Sequence, residues 1–120
     1  GARPEGAAYE EGFFYLPTIL DDCAADMSCV QEESFGPVLT VLRYSEVDEA
    51  IAMTNATELG LGGIVFGADT REALWVADRV DSGSVGINFF ASNHAAPFGG
   101  RRDSGLGVEY GPEGLHAYLT

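Results

Sequence analysis

Two adjacent acids, Glu32 and Glu33, stand immediately before Ser34, Phe35, Gly36 and Pro37. A carboxylate two residues from an aromatic ring, on backbone that glycine and proline hold in a turn, can grip vicinal hydroxyls while the ring covers a flat apolar face. The plainer account is a solvated acid beside a buried phenylalanine, and spacing alone ranks that account first. A second concentration of special residues is "PFGGRRDSGLG", Pro97 to Gly107, with four glycines and two adjacent arginines. Neither it nor "GLGG" at Gly60–Gly63 meets the phosphate-loop or dinucleotide pattern in a strand-to-helix setting, so turns and close packing are preferred to phosphate binding.

Nucleophilic catalysis needs an activated thiol or hydroxyl with a base and an oxyanion site. Cys29 lies in an acidic stretch, where carboxylates raise a thiol pKa, and it is not expected to attack anything. Cys23 and Cys29 form no CxxC or cysteine and histidine ligand pattern, and are read as plain cytosolic thiols. His94 sits in a polar loop where it could line a pocket, with a solvated or hydrogen-bonded role preferred, and His116 is read as structural. Neither has a companion at metal-ligand spacing, so no metal site and no catalytic residue are assigned.

Composition narrows the class. The 120 residues are 46% hydrophobic, which favours folding, and carry a formal net charge of −13 with six arginines as the only strong cations. A nucleic-acid surface needs phosphate-neutralising cations, so direct DNA or RNA binding is not expected. No apolar run reaches the length of a membrane span and the acidic, glycine-rich start is no signal peptide, which makes a cytoplasmic location the default expectation.

The elements that must position these residues follow from periodicity. Residues 1–12 lack a sustained period and read as a loop or flexible arm. "FFYLPTIL", Phe13–Leu20, is apolar, but Pro17 restricts it to an edge strand. The polar stretch before Glu32 offers at most one helical turn. Val38 to Tyr44 reads as a strand, and Ser45 with Asp48 resembles the cap of a helix over about 46–56, with Val47, Ala50, Ile51 and Ala56 as its stripe. "GIVFG" is a short buried strand. Asp69 and Glu72 have capping-box spacing for a second helix, lined by Ala73, Leu74, Ala77 and Val80 and closed by Gly83. "SVGINFF" makes another strand and "PEGLHAY" a terminal helix. Strands alternating with helices predict an α/β fold with a short, partly parallel sheet and flanking helices. Two helices are thin cover for such a sheet, so either the chain oligomerises or it belongs to something larger.

Taken in order, "FFYLPTIL", "QEESFGPVLTVLRY", "LGLGGIVFG", "SGSVGIN" and "PFGGRRDSGLGVEYGPEGLHAYLT" resemble the C-terminal portion of the catalytic domain in the aldehyde dehydrogenase superfamily, with residues 13–120 as a partial catalytic domain. The resemblance implies that Glu33 accepts hydrogen bonds from the nicotinamide ribose and that Phe35 packs near the nicotinamide ring, which reverses the ranking from spacing. Phe98 matches a ring lining the aldehyde tunnel, and Asn88 an asparagine that closes the strand before the substrate loop, Phe89–Ala96. Gly99, Gly100, Gly105 and Gly107 match a bend past the substrate entrance, where close approach and unusual dihedrals favour residues without Cβ. Arg102 stands where the family usually has lysine. Val108 stands where it commonly has arginine, so one cation is lost.

The resemblance implies a parent enzyme, a homo-oligomer using NAD or NADP to oxidise a small-molecule aldehyde to the acid through a cysteine thiohemiacetal and thioester. The family's nucleophilic cysteine, general-base glutamate, oxyanion asparagine and nucleotide-binding domain lie upstream of the matching region. This chain alone is therefore expected to be inactive, to bind cofactor weakly, and to need the rest of the polypeptide or another subunit as partner. The alternative is a naturally short, noncatalytic scaffold or interaction domain of the same fold, pairing through its open sheet edges.

Overall fold

The computed structural model describes residues 1–119 and divides the chain into two compact units, Gly1–Tyr44 and Ser45–Thr120. It has the expected α/β fold, with short ladders flanked by helices.

In the first unit, β1 (Thr18–Leu20) and β2 (Val38–Thr40) pair in parallel, with α1 (Ser28–Gln31) between them in sequence. Pro17 sits just outside β1, where it takes no donor from the ladder. The arm before it holds a short 3-10 turn at Ala7–Tyr9 and folds back, Leu16 N–H donating to the Ala2 carbonyl at 2.9 Å. Arg43 holds the connection beyond β1 through Asp21, at 2.7 Å, and Asp22.

The second unit contains α2 (Val47–Thr54), β3 (Leu59–Gly60), β4 (Gly62–Val65), α3 (Thr70–Ala77), β5 (Ser84–Ile87), β6 (Arg101–Arg102) and α4 (Gly111–His116). β4 and β5 pair in parallel with α3 as their crossover, from Gly62 opposite Ser84 to Val65 opposite Ile87. β3 and β6 pair antiparallel, a ladder of two residues each that the glycine-rich loop conceals from period-based reading. Among the described residues the strands thus form three two-stranded ladders.

Local signals set some boundaries and not others. Asp69 caps α3, its carboxylate accepting from Arg71 N–H at 2.8 Å and Glu72 N–H at 3.3 Å. Ser45 does not cap α2: its backbone N–H donates to the Glu49 carboxylate at 2.8 Å, and Glu46 occupies the cap position without a side-chain bond. The face α3 turns inward is Ala73, Val76 and Ala77, whereas Leu74 is 48% exposed and Val80, half-buried, lies beyond the helix end. Ala56 lies beyond α2 and is exposed, so the α2 stripe stops at Ile51 and Met53.

Gly83 does not close α3, which ends several residues earlier at a cap on Asp78. Its role is close approach. Gly83 N–H donates to the Gly60 carbonyl at 3.0 Å, and a Cβ there would lie 1.7 Å from the Gly99 carbonyl oxygen.

Among the described residues Ala73, 2% exposed, is the one buried apolar side chain. The core that a chain of this length could build is not built. Ile19 and Leu39 face each other across the β1–β2 ladder, 68% and 60% exposed, and Ile64 on β4 is also open. Parallel strands carry apolar residues on both faces because both are normally covered. Here the Ile19 and Leu39 face of the first pair is open, and in the second pair β5 is half-buried throughout while Ile64 on β4 is exposed.

Candidate functional site

β5 ends at Ile87, and the next residue makes a sharp exit. Asn88 adopts a left-handed conformation, φ 55°, while its N–H donates to the Val65 carbonyl at 2.8 Å. Its side chain clasps the Gly67 backbone, accepting from Gly67 N–H and donating to Gly67 C=O, each at 2.8 Å. Asparagine tolerates this backbone and supplies both a donor and an acceptor, so one residue ends β5 and ties it to the strand beside it.

The chain then runs into the loop of residues 89–98, which is secured from its far side. Phe98 and Glu109 exchange two backbone hydrogen bonds, at 2.8 and 2.7 Å, and Gly111 N–H donates to the His94 carbonyl at 3.1 Å. The His94 ring meets Tyr110 edge-on with centroids 4.5 Å apart, and Phe98 lies 6.1 Å from the same ring. His94 is thus exposed, as a solvated histidine would be, with its ring against Tyr110. Tyr110 is the residue that sequence reasoning missed: its φ of 60° gives the chain the left-handed step that places its ring against the loop.

These residues enclose an open cleft of about 300 Å³ between the end of β5 and Tyr110. Phe89, Phe90, Phe98, Pro97 and Tyr110 line it with carbon, and Ser92 and Asn93 supply neutral polar groups. Phe98 thereby joins the loop of residues 89–96 in one wall. An apolar concavity with a few polar groups suits a small organic molecule.

Beyond Phe98 the glycine-rich bend divides its labour. Gly99 and Gly100 satisfy close approach, since a Cβ on Gly99 would lie 2.7 Å from the Gly107 carbonyl oxygen and one on Gly100 would lie 2.6 Å from Ser104 Cβ. Gly105 and Gly107 satisfy dihedrals, at φ 130° and 83°. Both reasons expected of the bend therefore operate, at different positions.

Arg102 occupies the crossing of this bend with β3. Its guanidinium donates to the carbonyls of Asp81 at 2.9 Å, Asn55 at 3.0 Å and Thr57, and its Nε lies 3.3 Å from the Asp81 carboxylate. Arg101 pairs with the same carboxylate at 2.8 Å. The hydrogen bond from Arg101, then the charge of Arg102, hold the Asp81 carboxyl below its usual range against an opposing desolvation. Asn55 extends the knot, donating to the Arg79 carbonyl at 2.7 Å and accepting from Asp81 N–H at 2.8 Å.

Glu33 and Phe35 lie in the first unit, on the turn between α1 and β2, where Gly36 N–H donates to the Ser34 carbonyl at 2.7 Å. Glu33 is exposed and Phe35 is 95% exposed, so Phe35 is not the buried ring of the plainer reading. The Cys29 thiol is raised above its ordinary range, as expected, but the causes are desolvation first and Cys23 second, rather than neighbouring carboxylates. Among the described residues no cluster of histidine, cysteine and acid could hold a metal ion, and no helix is long and apolar enough to cross a membrane.

A family model described as "Aldehyde dehydrogenase family" matches residues 1–120. The chain belongs to the aldehyde dehydrogenase family. Among its aldehyde dehydrogenase relatives, betaine aldehyde dehydrogenase of Bacillus subtilis is 47% identical over 98% of this chain and 24% of its own length. Geranial dehydrogenase of Castellaniella defragrans is 43% identical over 91% of this chain and 23% of its own length. A crystal structure of Staphylococcus aureus betaine aldehyde dehydrogenase with NAD+ superposes at a TM-score of 0.92 and 42% identity, over 98% of this chain and 24% of that one. Aldehyde dehydrogenase C of Pseudomonas syringae, solved as a mutant with NAD+ and octanal, gives 0.91 and 42% over 99% and 24%. The chain spans about a quarter of the length of the relatives it matches.

Proposed function

We propose that this chain is part of a longer NAD- or NADP-dependent aldehyde dehydrogenase, in which it supplies a cofactor contact at Glu33 and Phe35 and one wall of the aldehyde site at Phe98. The family match along residues 1–120 carries this reading. Similar structures solved with NAD+ support the choice of a nicotinamide cofactor.

The residues present fit such a cofactor. The exposed Glu33 carboxylate is an acceptor-only group suited to a pair of ribose hydroxyls, and the open ring of Phe35 offers a flat apolar surface two residues away. When bound, the cofactor supplies the acceptor for hydride leaving the aldehyde carbon. Glu33 fixes the orientation of the ribose, and Phe35 limits where the adjoining ring can lie. Phe98 and its neighbours shield the aldehyde side from water. The proposed reaction converts an aldehyde to its acid through a cysteine thiohemiacetal and thioester, with the thiol and the general base supplied outside residues 1–120. Residues 13–120 then act as part of a catalytic domain, inactive by themselves, in an oligomeric parent.

Steady-state assay of the full-length protein tests the reading: aldehyde-dependent reduction of NAD or NADP is expected, and its absence with both cofactors over a broad aldehyde panel refutes it. In the same protein Glu33→Gln keeps side-chain size and removes the charge. It should weaken cofactor binding by about tenfold, the worth of one charge-assisted hydrogen bond, with the unfolding midpoint unmoved. Unchanged cofactor affinity and hydride-transfer rate would remove Glu33 from the cofactor site.

A further inference from the structure

We infer that the cleft between β5 and Tyr110 selects aldehydes whose far end is apolar and uncharged, and rejects those ending in a carboxylate. The inference rests on the reading of this cleft as one wall of an aldehyde site.

Among the described residues the lining holds the rings of Phe89, Phe90, Phe98 and Tyr110 and the neutral groups of Ser92 and Asn93, with no acid, arginine or histidine side chain. A carboxylate placed there gives up water for ring carbon and finds no counter-charge, which is among the costliest exchanges a polar group can make. A cationic end fares better against ring faces, yet no carboxylate lines the cleft to complement it.

Two cations follow in the sequence, and the obvious objection is that one of them swings in to hold an anionic substrate. Their bonding argues against it. Arg101 pairs with Asp81 at 2.8 Å, and Arg102 serves the carbonyls of Asp81, Asn55 and Thr57 as well as the Asp81 carboxylate. Withdrawing Arg102 would strip acceptors in a half-buried turn of their donor. Arg102 also holds a left-handed φ of 54°, a conformation that persists when its surroundings fix it.

The test uses the full-length protein and three aldehydes of matched length: hexanal, adipic semialdehyde, and the analogue of hexanal ending in trimethylammonium. Hexanal is expected to exceed adipic semialdehyde in kcat/KM by roughly 100-fold, and to exceed the cationic analogue by a smaller factor. Equal or better turnover of adipic semialdehyde overturns the inference while leaving the aldehyde dehydrogenase reading intact, and preference for the cationic analogue overturns the uncharged assignment. Oxidation of none of the three, with NAD or NADP, overturns the aldehyde-site reading and the inference with it. In a second arm, Asn93→Arg places a guanidinium with no acidic neighbour in the lining. It should raise adipic semialdehyde relative to hexanal by about tenfold, and an unchanged ratio overturns the assignment of this cleft to the far end of the substrate.

Discussion

The stretch from Phe98 to Arg102 joins two regions of opposite chemistry. At Phe98 the surroundings are rings and neutral polar groups, and the backbone is held open by paired bonds to Glu109. At Arg102 one guanidinium meets three carbonyls and a carboxylate. Among the described residues, most donors and acceptors of the polar region find each other within this chain, while Arg102 Nε is buried without a hydrogen-bond partner. The apolar region is an open wall, shaped by the same loop and available to a ligand. A hydrogen-bonded network at one end of a loop fixes the backbone from which the other end departs.

The comparison can be broken most severely at the crossing that both regions share. Gly83→Ala drives a methyl group into the Gly99 carbonyl, where a Cβ would lie 1.7 Å from the oxygen. Backbone on both sides leaves no flexible group to yield, so a loss of roughly 3 kcal/mol or more is expected, read as a failure to fold or a large fall in the urea midpoint of the full-length protein.

Arg102→Ala is the next largest. It deprives the Asn55, Thr57 and Asp81 carbonyls of their donor together, for about 2–3 kcal/mol by urea unfolding. Arg102→Lys keeps the charge but cannot span the same acceptors with a single ammonium, and should recover less than half of that loss. Full recovery by lysine would show that charge alone holds the knot.

Phe98→Ala acts on the apolar region. Relative kcat/KM between a bulky and a small aldehyde should shift by roughly tenfold, with the KM for cofactor unchanged. Equal rates for both aldehydes before and after the change would remove Phe98 from the substrate wall.

The smallest effect is the acid limb of stability. Asp81 stays ionised to lower pH in the folded protein than in the unfolded chain, because Arg101 and Arg102 favour its charged form. The unfolded chain therefore binds more protons in acid. Its contribution is present above the ordinary aspartate value of about 3.9 and is lost as pH falls through the lower folded value. Asp81→Asn should flatten that part of the stability profile. An unaltered limb would show that solvent screens these exposed pairs completely.

Much of the local structure was legible in the residues themselves. The Asp69 cap, the inward Ala73 and Ala77, and strands within Val38–Tyr44, Gly63–Gly67 and Ser84–Phe90 follow from spacing, because they depend on neighbours within a turn or two. Leu74 and Gly83 misled for a common reason. A periodic stripe admits more residues than the helix can turn inward, and a glycine after a helix looks like a cap whether its freedom is used for φ or for close approach. The β3–β6 ladder was hidden because its strands are two residues long and lie in a glycine-rich context.

The site divides in the same way. The sequence by itself carried the family resemblance, and with it the expectation of Glu33, Phe35 and Phe98 at the site and of residues without Cβ at Gly99, Gly100, Gly105 and Gly107. These are properties of residue type in order along the chain. Only the tertiary structure decided that Tyr110 closes the cleft beside Phe98, that Asn88 clasps Gly67, and that both arginines answer to Asp81. Each joins residues more than ten positions apart, and the partner of a donor or a ring across that separation is chosen by how the chain returns upon itself rather than by any local period.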